Sequence, residues 1–308
     1  MNAEVPSPAF ADFFSESSFL KADRIVESAW IQHVPFAFWL TEQLKPKLLV
    51  ELGVHTGVSY FAFCQSIKTN KLSTLCYGVD TWMGDAHSGL YDENIWLDVS
   101  GYNAALYNAF SYLLKTTFNE ALQYFEAGSI DLLHIDGYHT YEAVKEDFKS
   151  WLPKMAANGI VLFHDIVVRE REFGVYKFWN ELKQQYKSFE FIHGHGLGIL
   201  ALGEPSSDRL AQLFALTQEA EVSQVRAIYA RLGAMQAESF HAMTLQNQLA
   251  HINAHYASLQ HQYEQLKLQY QSLNNEYEVL KKLREEGDGL TISSEAGVVT
   301  PAPSEETL

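Results

Sequence analysis

LLVELGVHTGVS, residues 48–59, decides the fold. An apolar, β-rich run ends in Glu51, a Gly53-x-x-x-Gly57 turn follows, and a helical pattern takes over. Glycines at such a turn let the backbone approach a ligand at the carboxyl end of the strand, where open α/β sheets bind their ligands. The spacing differs from the G-x-G-x-x-G of pyrophosphate-binding loops, which argues against a dinucleotide cofactor. Taken alone, the pattern fits a structural glycine turn equally well.

Outward from this loop, residues 48–203 alternate short apolar runs with helical patterns, the signature of βαβ units around a parallel sheet. Strands are predicted at 48–54, 74–80, 113–118, 131–137 and 159–165. Helices are predicted at 141–155, where Val144, Phe148, Trp151 and Leu152 share a face, and at 175–186, where Phe178, Trp179 and Leu182 do. FEFIHGH (189–195) and LGILALG (197–203) are joined too tightly for a crossover helix, so they should form an antiparallel hairpin at the sheet edge. Residues 22–44 read as a helical cap with an aromatic face, interrupted by Pro35. The stretch 82–101 shows little periodicity and reads as a lid, with Trp82, Tyr91, Trp96 and Tyr102 available to stack on a sugar.

After Pro205 the pattern turns helical, and a seven-residue repeat then appears. Leu245, Ile252, Leu259, Leu266, Leu273 and Leu280 fall at d; Leu249, Tyr256, Tyr263, Tyr270 and Tyr277 fall at a. A lone amphipathic helix is the alternative to a coiled coil here. The expected organisation is a domain at 1–204 with its N-terminal cap, a helical connector at 205–237, a coiled coil at 238–285 and a disordered tail at 286–308.

A chain of 308 residues with 47% hydrophobic content can bury a sizeable core. Its net charge of −16 works against nucleic acid and anionic membranes as partners. Two cysteines, Cys64 and Cys76, exclude a disulfide framework and any zinc site built on several thiolates. No leader-like N-terminus and no apolar run of the ~18 residues needed to span a bilayer is present, so a cytoplasmic protein is expected.

The chemistry-bearing residues fall at predicted strand ends. Asp80 closes the second strand, 23 residues beyond Gly57, where a carboxylate can accept hydrogen bonds from both ribose hydroxyls of an adenosine. A turn cap is the other reading of such an Asp. DLLHIDGYH delivers Asp136 and His139, and GIVLFHD delivers His164 and Asp165. Two acids and one or two imidazoles on one rim can bind a divalent metal while a free histidine acts as base. His134, in mid-strand, reads as a core histidine.

The span from about Trp30 to Gly203 resembles the class I S-adenosylmethionine-dependent methyltransferases, in particular the metal-dependent sugar O-methyltransferase-like family of macrolide pathways and of loci near bacterial glycosyltransferases. WIQHVPFAFWL, ELGVHTGVSYFAF, YGVDTWMGDAHSG, DLLHIDGYHTYEAVKEDFKSWLPKMAANGIVLFHDI and HGHGLGILALG carry the resemblance. It implies an α/β fold with a doubly wound, Rossmann-like methyltransferase sheet and a terminal antiparallel hairpin, followed here by the coiled coil. It implies S-adenosylmethionine held by Glu51, Gly53, Gly57, Ser59 and Asp80. Asp136 and Asp165, with His164 beside them, correspond to ligands of Mg²⁺ or another divalent cation, and His139 to the proton acceptor. Relatives often carry two adjacent acids where this chain has His164-Asp165, which leaves the metal open.

The implied activity is methylation of a hydroxyl on a saccharide or sugar-linked metabolite in surface polysaccharide or glycoside biosynthesis. The rival is a coiled-coil assembly protein with an inert methyltransferase-like domain. The coiled coil implies a second copy or a partner protein.

Overall fold

The computed structural model describes residues 10–85, 89–170 and 172–287. Most of the expected tail at 286–308 lies outside them. The chain divides into two units, Met1–Met243 and Thr244–Leu308.

In the first unit, β1 (Leu48–Leu52), β2 (Leu75–Asp80), β5 (Ser111–Lys115), β6 (Ile130–Ile135) and β7 (Met155–His164) build a sheet with the hairpin strands β8 (Lys187–Phe191) and β9 (Leu197–Ala201). The seven strands run in the order β5-β2-β1-β6-β7-β9-β8. β5, β2, β1, β6 and β7 pair in parallel, while β9 is antiparallel to both β7 and β8. The predicted hairpin is therefore present at the expected edge. β3 (Gly84–Asp85) and β4 (Gly89–Leu90) form a separate two-stranded ribbon.

Strands buried on both faces read as continuous apolar runs, because successive side chains point to opposite layers. Leu49, Leu132 and Leu162 face a layer made by α1 (Val34–Leu44) and α2 (Val58–Thr69). Val50, Leu133 and Phe163 face α5 (Tyr141–Trp151) and α6 (Val175–Leu182). On α6, Val175, Phe178, Trp179 and Leu182 recur at helical spacing and are all buried. Each contributes roughly 1.5–3 kcal/mol of hydrophobic stabilisation.

Three expectations are corrected. Residues 22–44 are not one helix: Ser28 caps a short 3₁₀ segment at Ala29–His33, and α1 starts only at Val34, with Pro35 in its first turn, where a missing N–H costs nothing. The aperiodic stretch at 82–101 leads into α3 (Glu93–Leu106), started by the Asp92 side chain accepting the Asn94 amide. The strand expected at 113–118 starts at Ser111 and stops at Lys115, because Thr117 and Glu120 form a capping box that opens α4 (Phe118–Ala121).

Residues 205–237 do more than connect. α7 (Asp208–Ala215) and the first turns of α8 (Glu219–Gly287) bury Leu210, Leu213, Val225, Tyr229 and Leu232 in the α1/α2 layer. The Tyr229 hydroxyl donates to the Phe13 carbonyl at 2.7 Å, and the Gln236 amide donates to the Leu20 carbonyl at 2.7 Å.

The second unit consists, among the described residues, of the rest of α8. Its a and d side chains from Leu245 to Leu280 stand 48–69% exposed. No helix among the described residues is long and apolar enough to cross a membrane.

Candidate active site

The loop between β1 and α2 is shaped by backbone that most residues avoid. Gly53 has φ +90, and a Cβ there would lie 2.0 Å from the Asp136 carbonyl oxygen. This close approach lets the Gly53 amide donate to the Val79 carbonyl at 2.9 Å while the Asp136 amide donates to the Leu52 carbonyl at 2.9 Å. The ends of β2, β1 and β6 are thereby stitched into one rim. Asp80 is held from two sides: His55 N–H donates to Oδ2 at 2.9 Å and Trp82 N–H to Oδ1 at 2.7 Å. Each oxygen keeps lone-pair capacity toward the cleft.

Glu51 does not line the cleft, contrary to its predicted place at the cofactor. It is fully buried, with the Ser59 hydroxyl donating to Oε1 at 2.7 Å and His134 Nδ1 lying 3.0 Å from Oε2. An indole N–H can only donate, so Trp30 Nε1, 3.2 Å from His134 Nε2, fixes that nitrogen as acceptor and turns Nδ1–H toward Glu51. Burial pushes the Glu51 carboxyl up, against the pull of His134 and Ser59. His134 is thus a core histidine that positions other groups, since it holds Glu51, which in turn holds Ser59.

Asp136, His139 and Asp165 converge at the rim. His139 Nε2 lies 2.9 Å from Asp165 Oδ2 and 3.5 Å from Asp136 Oδ1. One ligand atom from each of the three lies within 4.8 Å of the others, a spacing that a single metal ion can bridge. Asp165 leaves β7 in the left-handed conformation, φ +61, which turns its carboxylate back onto the rim. The His139 ring stacks on Phe173, centroids 4.6 Å apart and planes 6° from parallel.

His164 has a different place from the one predicted. Its Nε2 donates to the Gly194 carbonyl at 3.0 Å and its Nδ1 to Asp136 Oδ1 at 3.3 Å, and it is 4% exposed. With both nitrogens engaged, His164 orients Asp136 rather than joining the ligand-capable trio, and His139 takes that place. Burial alone would lower the His164 pKa, but the charges of Asp136 and Asp165 carry it up to about 9. For His139, burial also lowers, and the hydrogen bonds to both carboxylates outweigh it, giving about 10. The carboxyls of Asp136 and Asp165 are driven down against their own desolvation, chiefly by His164.

Two cavities open on the rim. One, about 240 Å³, is lined by Gly53, His55, Asp80, Thr117, Phe118 and His139 among others. Its neighbour, about 210 Å³, is lined by Trp30, Ser59, His164 and Asp165 among others. Gly53, His55, Tyr91, Asp136 and His139 border both. Gly57 borders neither: at φ +82 it is the cap residue of α2. Of the aromatic residues proposed for a lid, Tyr91 alone reaches these cavities, stacked on His55 at 4.5 Å. Trp82 and Trp96 pack on each other, and Tyr102 packs on Phe61.

Spacing alone did not reveal His195 and His33. His195 Nδ1 lies 3.1 Å from Asp165 Oδ1, and His33 Nε2 donates to the same Gly194 carbonyl that His164 uses. Both depend on a turn between β8 and β9 that returns to the rim. The doubled His-Gly of HGHG, residues 193–196, was the available signal.

Residues 50–166 match the family model described as a methyltransferase domain. That match covers under half of the chain. It takes in most of β1, all of β2, β5, β6 and β7, the glycine loop and the Asp136, His139 and Asp165 rim described above. The β9 strand, antiparallel within an otherwise doubly wound sheet, completes a Rossmann-like fold. An uncharacterised protein, y4gI, of Sinorhizobium fredii (strain NBRC 101917 / NGR234) is 48% identical over 186 residues, which cover 60% of this chain and 20% of that protein. The chain thus spans about a fifth of that relative's length. Among solved structures, the chain is similar to a putative caffeoyl-CoA O-methyltransferase from Staphylococcus aureus, 15% identical, covering 58% of this chain and 86% of that one, TM-score 0.46. It is also similar to an O-methyltransferase of Streptomyces achromogenes involved in tomaymycin synthesis, in complex with SAM, at 11% identity, 59% and 82% coverage and TM-score 0.43.

Proposed function

We propose that this chain transfers a methyl group from S-adenosylmethionine to a hydroxyl of an acceptor in the cytoplasm, the acceptor being a saccharide or sugar-linked metabolite of surface polysaccharide or glycoside biosynthesis. The pair of adjoining cavities sharing the Asp136 and His139 wall carries this reading. The first cavity suits the adenosyl part, with Asp80 accepting from the ribose hydroxyls and Gly53 leaving room for close backbone approach. Ser59, set by Glu51, borders the second. An acceptor there meets the sulfonium methyl at the shared wall, where closeness and alignment supply most of the rate. The hydroxyl oxygen bonds to the methyl carbon, the carbon–sulfur bond breaks, and the hydroxyl proton leaves to His139.

The donor set of two carboxylates and an imidazole suits a divalent cation, held by Asp136 and Asp165 with His139 in reach. Such an ion, when bound, lowers the pKa of an acceptor hydroxyl and orients it. His139 accepts a proton only where Asp136 and Asp165 are engaged by another positive charge, because on their own they keep its ring protonated. Calorimetry with S-adenosylmethionine and S-adenosylhomocysteine tests the cofactor: no heat of binding for either at millimolar concentration refutes the reading. Mn²⁺ titration of His139→Ala separates the two uses of that ring. Retained affinity marks a base, and lost affinity marks a ligand.

A further inference from the structure

We propose that residues 245–280 of α8 pair with the same segment of a second copy as a parallel, two-stranded coiled coil. The starting point is what this helix lacks. A lone helix that persists in water is held by ladders of opposite charges three and four residues apart. Residues 245–280 carry four charged side chains, Glu264, Lys267, Glu276 and Glu278, and the Lys267–Glu264 pair spans 3.7 Å. Their outer faces are Gln, Asn, Ala, Ser and His. What the helix does have is an unbroken apolar seam. Tyr256, Tyr263, Tyr270 and Tyr277 are 61–69% exposed, and Leu245, Leu266, Leu273 and Leu280 are 64–65% exposed.

The area suffices for a stable pair. At about 200 Å² per tyrosine side chain, the four rings leave roughly 500 Å² uncovered on each helix. Two helices then offer about 1,000 Å² from tyrosine alone, and the leucines carry the total past the 1,200 Å² at which stable interfaces begin. Strand number follows from the hydroxyls. Four successive tyrosine layers buried inside a trimer would strand their hydroxyls without water, whereas in a dimer the a side chains reach past the seam and keep them wet. Leucine at nearly every d position suits the same two-stranded packing.

Direction follows from the flanks. The g and e positions are uncharged or histidine except for Lys267 and Lys281 at e and Glu276 at g. Parallel, in-register pairing sets Glu276 of each strand against Lys281 of the other, twice per dimer. Antiparallel pairing with full overlap sets Lys281 against Gln246 and forgoes both contacts. Because Cys64 and Cys76 are buried, an introduced seam cysteine reports without background.

Sedimentation equilibrium of the full chain should give twice 34.9 kDa at 10 µM, and Leu259→Glu with Leu266→Glu should weaken association at least 100-fold. These positions are exposed, so near-ultraviolet dichroism of the double variant should keep the α/β signal. Under mild oxidant, Leu273→Cys should form a disulfide-linked dimer, since like layers face each other only in the parallel register. A monomer or trimer mass overturns the proposal. So does a dimer that crosslinks only when Leu249→Cys and Leu280→Cys are combined, the pairing of an antiparallel seam.

Discussion

Replacing Gly53 by alanine puts the rim geometry to its hardest test. The added Cβ would sit 2.0 Å from the Asp136 carbonyl oxygen, 2.7 Å from its carbon and 3.1 Å from the Gly137 nitrogen, all of them backbone atoms. No rotamer change relieves such a contact. Reaching even a 3.0 Å separation requires the β1 and β6 ends to part by about 1 Å, against the Asp136 N–H bond to Leu52 and the Gly53 N–H bond to Val79. A side chain at φ +90 adds roughly 1–2 kcal/mol of backbone strain, and overpacking adds roughly 1–3 kcal/mol. Gly53→Ala should therefore lose about 2–5 kcal/mol in urea unfolding, and the parting of the β1 and β6 ends, which wall the first cavity, should weaken S-adenosylhomocysteine binding at least tenfold by calorimetry. Gly101→Ala is the control: it lies within α3 with nothing within 4 Å of its Cβ, and should gain up to about 1 kcal/mol. If Gly53→Ala stays within 0.5 kcal/mol of the parent and binds as tightly, the close approach of the two backbones is not what builds this rim.

Three further outcomes follow. Ser59→Ala removes the hydroxyl donor from a fully buried carboxylate and should cost about 1–3 kcal/mol in the same urea assay. His139→Ala should abolish methyl transfer, read as S-adenosylhomocysteine production, while cofactor affinity stays within about twofold; residual turnover above a tenth would exclude it as the proton acceptor. His164 and His139 have folded pKa values raised to about 9 and about 10, so their stabilisation is complete below the unfolded value near 6.5 and declines as pH rises toward 9–10. For His164 alone the loss is on the order of 3 kcal/mol, so the urea midpoint measured from pH 6.5 to 9.5 should fall steadily, and a flat profile would contradict the ion pairing at the rim.

The parts of this molecule written in local pattern are legible in its sequence. Continuous apolar runs gave β1, β6 and β7, the short joint in FEFIHGHGLGILALG gave the β8–β9 hairpin, and D-G-x-H put Asp136 and His139 on one rim. What escaped depends on distant packing. α3 hides in a stretch whose hydrophobic periodicity is weak, and only Val99 and Asn103 of it are buried. The Trp30–His134–Glu51–Ser59 chain links residues up to 104 positions apart and therefore carries no spacing signal. The exchange of places between His139 and His164 turns on one oxygen, the Gly194 carbonyl, that no side-chain pattern marks.

The left-handed turn at Asp165 limits how this rim can change. Asparagine and glycine tolerate φ near +61 with little strain, whereas other residues add about 1–2 kcal/mol to whatever the lost carboxylate costs. Asp165→Asn is thus the one-atom edit that removes charge while leaving the turn in place, and alanine at this position would confound chemistry with folding. A chain drifting away from catalysis without losing its fold has the same narrow exit, through asparagine or glycine at residue 165.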